Sequence, residues 1–272
     1  MNVINRNFFR LLRSGAFNEK GNIEPMSAFK WNRLYQMVEA QSVTPVFTQG
    51  VNRHVDDKGL NLPKELIGKV QSIINNKTVA RHNIVNMKVH LANGFLNRRL
   101  GKVFHDERHS IDTSTETMNL LRIIIFNVDA MLNQGMSLDG IIQLGEYLRT
   151  KGDKVDFVKL DAWLTRLHMQ DMAQLEGSIL IAVFGFEQDE IPFVQRVEKD
   201  AYKLTLRSIS YLAKDTAKEW HFRQNNAGFL QNNSAVLRRN LRRSIRYIGY
   251  APLETISNFF SNFARSLQEI EE

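Results

Sequence analysis

Asn133-Gln134-Gly135-Met136-Ser137-Leu138 opens the stretch whose reading decides the fold. Asn133-Gln134-Gly135 closes one element and Ser137 is a residue type suited to cap the next. Ile141, Ile142, Leu144 and Leu148 then recur at helical spacing up to Lys151-Gly152-Asp153. Lys159-Leu160-Asp161-Ala162-Trp163 sits inside a second helical pattern, over Asp156 to Leu167. A third covers Met169 to Phe184 and stops at Gly185. An exposed turn at Asp189-Glu190 leads into Ile191-Pro192-Phe193, and another long helix is expected over Val194 to Lys218. These starts and stops predict short helices joined by tight turns.

Upstream the same period continues. Met118, Leu121, Ile124, Ile125, Val128 and Leu132 share one helical face, with Ser114, Thr115 or Thr117 as cap. Leu120 to Val128 is also β-prone, so a strand competes there. Gly101 to Thr115 reads as polar and irregular and marks a boundary. From Lys64 to Leu100 the pattern is helical, with a break near Asn93-Gly94. Trp31, Leu34, Tyr35 and Val38 fall at i, i+3, i+4 and i+7, and Phe8, Phe9, Leu11 and Leu12 form an apolar cluster ending at Gly15. Ser42 to Val51 is a turn or short helix. Downstream, Gly228 to Ser234 is a polar loop, and Val236 to Tyr247 and Leu253 to Ile270 are helices. Trp163 and Trp220 are expected in the core. The fold class is therefore mostly α: a multi-helix bundle of two packed helical regions, residues 1–112 and 113–272, with little or no sheet.

Composition narrows the function classes. Among 272 residues there are 5 prolines and 15 glycines, too few for disorder or for a many-turned β architecture. The absence of cysteine excludes disulfides, a thiol nucleophile and thiolate metal sites, and suits a reducing cytoplasm. No targeting segment is expected at Met1 to Arg13, where arginines interrupt the apolar residues. The run Ile123 to Phe126 is far shorter than the ~20 residues a membrane span needs.

The order of phrases from Asn133 to Phe193 resembles the C-terminal part of a bacterial family, the uncharacterised nucleotidyltransferases. There a Gly-Ile-Gly-Leu-Arg-Gln phrase opens a helix, and Leu-Gly-Leu-Pro and Pro-Phe follow. Phe8 to Gly15, Trp31, Tyr35, Ala40 to Thr44 and Leu62-Pro63 are similar to the opening of that family, and Asn226 to Phe229 to its Gly-Asn-Phe-Gly phrase. The resemblance implies nucleotidyl transfer by carboxylates that hold magnesium on adjacent strands. This chain has no Asp-x-Asp, and its one Gly-Ser pair, Gly177-Ser178, is followed by apolar residues. Asn127 and Asp129 depart from the family's pattern, and Asp139 or Gly140 stands where its arginine would fall. The resemblance thus implies helical flanks without the catalytic core, and no catalytic residue carries over. A degenerate, non-catalytic binding or accessory protein is expected, with no cofactor. An enzyme using magnesium would need acids from separate places, such as Asp106, Glu107, Asp112 and Asp129.

Two constellations remain. His105 and His109 lie at i and i+4 with Asp112 nearby, which is metal-ligand spacing, although a polar surface loop explains it equally. Arg238, Arg239, Arg242, Arg243 and Arg246 share one broad face of the helix at 236–248. Residues 218–250 carry a net charge of +6, against +7 for the whole chain. Such a face suits a polyanion: nucleic acid, a nucleotide or an acidic polymer, with Phe222, Phe229, Tyr247 and Tyr250 to stack on bases. The competing reading is a solvated face, or one paired with Glu254, Glu269, Glu271 and Glu272. A protein partner is also compatible with these helices.

Overall fold

A computed structural model of the chain describes residues 2–76, 83–210 and 233–271, and the side chains of 2–74, 83–210 and 240–264. Among the described residues every regular element is helical and no strand forms. The helices are α1 (Val3–Phe17), α2 (Ala28–Ala40), α3 (Thr44–Arg53), α4 (Lys64–Asn76), α5 (Gly94–Arg108), α6 (Thr115–Asn133), α7 (Leu138–Lys151), α8 (Phe157–Leu167) and α9 (Gln170–Phe184). Residues 201–210 are helical (α10), followed by α11 (Asn233–Tyr247) and α12 (Pro252–Glu271). The chain divides into two compact units, residues 1–83 with 206–221, and residues 84–205 with 222–272. Residues 84–112 thus group with the second unit, where α5 packs on α8.

In the first unit α1 and α3 cross closely. A Cβ at Gly15 would collide with the Val46 carbonyl, and one at Gly50 with the Leu11 carbonyl, so this contact requires glycine on both helices. Phe8, Leu11, Leu12, Trp31 and Phe47 fill the core beside it. Each such side chain contributes roughly 1.5–3 kcal/mol by leaving water. The buried Trp31 Nε1 donates to Asn61 Oδ1 at 3.0 Å. Arg6 and Arg10 both grip Glu24, at 2.6 and 2.8 Å.

The second unit is built around α6. Its residues are apolar nearly all round, from Met118 to Leu132, and α7, α8, α9, α11 and α12 surround it. Only a narrow line through Asn119, Arg122, Asp129 and Asn133 stays half-exposed, so the helix is packed on most of its circumference. The β-prone run Leu120 to Val128 is helical for this reason: helices, not strands, supply every neighbour. One polar cluster interrupts the core. Asn127 Nδ2 donates to the Gly140 carbonyl at 3.2 Å and to Glu176 Oε2 at 3.0 Å. A Cβ at Gly140 would strike Asn127 Oδ1. Burial pushes the Glu176 carboxyl well above its usual range, which favours its protonated form.

Several local expectations are corrected. Residues 101–108 are helix, because α5 has an apolar line, Leu96, Leu100 and Val103, hidden among its charges. Residues 194–200 are a loop rather than the start of a helix. Side chains pin that loop: Gln188 Nε2 donates to the Val194 and Gln195 carbonyls, and Ser178 Oγ accepts from the Glu198 amide at 2.9 Å. The break expected at Asn93-Gly94 is the start of α5; the preceding helix is described as far as Asn76, and residues 87–93 are not helical. Trp163 is half-exposed rather than core. Trp220 and most of the loop at 228–234 lie outside the described residues.

Candidate functional site

The site with the most unusual chemistry lies on α5. Asn93 caps this helix, its Oδ1 accepting from the Phe95 and Leu96 amides at 3.1 and 3.0 Å. Glu254 of α12 takes the two preceding amides, Ala92 at 2.5 Å and Asn93 at 3.0 Å. These caps fix where α5 begins and so where its faces point. Leu96, Leu100, Val103 and Glu107 turn inward. Asn97, Gly101, Phe104, His105, Arg108 and His109 line a cleft of about 460 Å³. Lys88, Val89 and His90 form another wall, held by the Leu91 amide donating to Asn97 Oδ1 at 3.0 Å. Arg122 enters from α6, its Cζ 4.8 Å from the Phe104 ring centre.

The fixed charges lining the cleft are all positive. Lys88, Arg108 and Arg122 line it with three histidines, and no aspartate or glutamate does. Arg122 is the telling residue. Its Nε is buried and has no hydrogen-bond partner among the described residues. Burial lowers its affinity for the proton, and the like charge of Arg108 lowers it further. An unsatisfied buried donor costs about 1–3 kcal/mol, more when charged. Among the described residues neither Arg108 nor Arg122 faces a carboxylate. An anion between the two guanidinium groups would offset this repulsion.

The histidine pair belongs to this cleft. The His105 and His109 rings lie 4.4 Å apart, and His109 Nδ1 donates to the His105 carbonyl at 2.8 Å. Asp112 does not join them: its exposed carboxylate lies 3.8 Å from Lys159 Nζ. Among the described residues no three metal-ligating side chains come together. The dispersed acids are engaged separately. Asp106 faces Arg166 at 3.9 Å, and Asp129 accepts from Asn133 at 2.7 Å. Glu107 is buried, 3.2 Å from Lys159 Nζ, and accepts from the Ser114 amide at 2.6 Å.

The α11 arginines whose side chains are described take different places. Arg242 is exposed. Arg243 is half-buried and donates to the Leu132 and Asn133 carbonyls, closing the C-terminal end of α6. Arg246 is half-buried, and the side chains of Arg238 and Arg239 are not among those described. Glu254 caps α5 instead of pairing with these arginines. The side chains of Glu269, Glu271 and Glu272, with Phe222 and Phe229, lie outside the described set. Tyr247 is fully buried and cannot stack on a base. Sequence reading missed Lys88, His90 and Arg122. One signal was present: Arg122 is the only charge between Met118 and Val128.

Comparison with family models, with curated proteins and with solved structures returned no match.

Proposed function

We propose that this protein binds a small anionic molecule, a phosphate or carboxylate compound, in the cleft between α5 and α6, and that it acts by binding rather than by catalysis. The convergence of Arg122 and Arg108 on a cleft that no carboxylate lines carries this reading. A guanidinium presents paired donors that match the oxygens of phosphate or carboxylate. The volume of about 460 Å³ falls in the size class of small-molecule sites. Val89, Leu100 and Phe104 offer apolar contact to the rest of the ligand.

The resemblance to nucleotidyltransferase flanks agrees with this reading. Helices that framed a nucleotide site, without an acid-bearing sheet, would keep a grip on anions and no means to transfer them. The lack of cysteine fits a cytoplasmic setting. No helix among the described residues is long and apolar enough to cross a membrane. A second reading, nucleic-acid binding through α11, draws support from the concentration of charge in residues 218–250.

Calorimetric titration tests the first reading, using pyrophosphate, nucleoside mono- and triphosphates with and without magnesium, and citrate. The expected result is saturable binding of at least one of these, weakened by Arg122→Gln. No heat or thermal stabilisation from any of them would reject it. For the second reading, replacing Arg239, Arg242 and Arg243 together should flatten the salt dependence of binding to DNA or RNA.

A further inference from the structure

The hairpin of α11 and α12 is inside out. The residues of α12 that turn toward the unit's core are polar: Glu254, Thr255 and Asn258 are buried, and Asn262 donates to Asn133 Oδ1 at 3.0 Å. The residues turned to solvent are apolar. Leu253, Ile256, Phe260 and Phe263 repeat at i, i+3, i+7 and i+10, and each is between 38% and 62% exposed. The neighbouring helix repeats the pattern. Tyr247 is buried and Arg243 reaches α6, while Leu241, Ile245 and Ile248 are 44–65% exposed. Helices pack apolar faces inward because that removes them from water. Two adjoining helices that do the reverse present a surface built to be covered.

Charge selects what covers it. The sequence of α11 holds five arginines and no acidic residue. At about 100° per residue, positions 238, 239, 242 and 246 fall on an arc adjoining the line of Leu241, Ile245 and Ile248. A second copy of this chain docked face to face would set these cationic arcs against each other. Nucleic acid would pair with the arginines but leave the apolar line in water. An anionic bilayer surface satisfies both, with phosphate headgroups for the guanidinium groups and the acyl boundary for the apolar side chains.

We propose that the α11–α12 hairpin docks on the surface of an anionic phospholipid membrane without crossing it. Ile245 and Phe260, the most exposed apolar residues among the described side chains of the two helices, lead the insertion. Arg242 and the basic positions beside it meet the headgroups. This surface is separate from the α5–α6 cleft, and either assignment can fail without the other.

Co-sedimentation of the full chain with vesicles tests the proposal. The chain should sediment with vesicles of phosphatidylcholine mixed with phosphatidylserine, and much less with phosphatidylcholine alone. The double variant Ile245→Asp, Phe260→Asp should lose about tenfold or more of that binding. Both positions are exposed, so helicity and ligand binding in the cleft should be unchanged and report that the variant is folded. Arg242→Gln should weaken binding and its salt sensitivity. Absence of sedimentation with anionic vesicles overturns the proposal, as does an unaffected double variant. A dimer that forms without vesicles and disappears in the double variant would assign the face to a second copy and overturn it too.

Discussion

Two groups of arginines in the second unit carry the same charge and lead different lives. Those of α11 are close in sequence, and two of them take different places: Arg242 meets solvent while Arg243 closes α6. Arg108 and Arg122 are distant in sequence, yet the fold brings them to one acid-free cleft. A row of charges on a helix has an exposed arc available to each member, so the row itself specifies no ligand. Cations converging from separate segments pay a repulsive and desolvation cost that something must offset. Convergence is therefore the stronger sign of a binding site.

The contrast is sharpened most by Arg122→Gln. Removing one charge-assisted contact should cost about 1.5–3 kcal/mol of binding, or roughly ten- to a hundredfold in affinity. Folding stability should hold or rise, since the burial cost and the repulsion from Arg108 disappear with the charge. Paired calorimetry and thermal melting read both effects, and a fall in stability with unchanged affinity would break the distinction. Gly101→Leu probes the same cleft by filling it. A Cβ there meets no other atom, so the helix tolerates it and gains about 0.5–1 kcal/mol from losing a mid-helix glycine. Ligands larger than a bare anion should be excluded, which competition by pyrophosphate against a nucleotide would reveal.

Arg243→Ala belongs to the other side of the comparison. It should cost about 1–2 kcal/mol in urea denaturation, because two carbonyls of α6 lose their donor, and it should leave cleft affinity intact. Arg242→Ala, on the exposed side, should change stability by no more than ~0.5 kcal/mol.

The two helical units also differ in how acids respond to pH. Arg6 and then Arg10 hold the Glu24 carboxylate down to about 2. Its contribution is present above the ordinary value of 4.5 and is lost as pH falls from there toward 2. Glu176 has the opposite sign. Its burial-raised proton affinity contributes stability below 4.5, and this is lost as pH rises from there through the folded value. Glu176→Gln keeps an amide that can hydrogen-bond in place and removes the titration. Melting across pH should show the variant gaining on the parent as pH rises, and parallel curves would contradict the buried neutral acid.

Sequence reading recovered the helices wherever a start or stop has a local cause. Asp156 caps α8 by accepting from the Lys159 amide, and Gly185 ends α9 with a left-handed φ of 74°, whereas Ser137 stands at the start of α7 without a side-chain capping bond. It failed where tertiary contacts decide. Residues 101–108 look like loop because five of the eight are charged or histidine, and only packing of Val103 and Glu107 beneath them makes the helix. Residues 194–200 look helical until Gln188 and Ser178 claim their backbone groups. The cleft was half visible. His105 and His109 stood out by spacing, but for metal rather than anion chemistry. Arg122 was hidden by its apolar neighbours, Leu121 and Ile123, which place it where no local rule expects a site.

Diffraction from a crystal soaked in tungstate, a heavy mimic of phosphate, tests the cleft most directly. An anomalous peak within hydrogen-bonding reach of the Arg122 and Arg108 guanidinium groups is the expected result. Peaks confined to the exposed arginines of α11, with the cleft empty, would contradict the assignment of anion binding to α5 and α6.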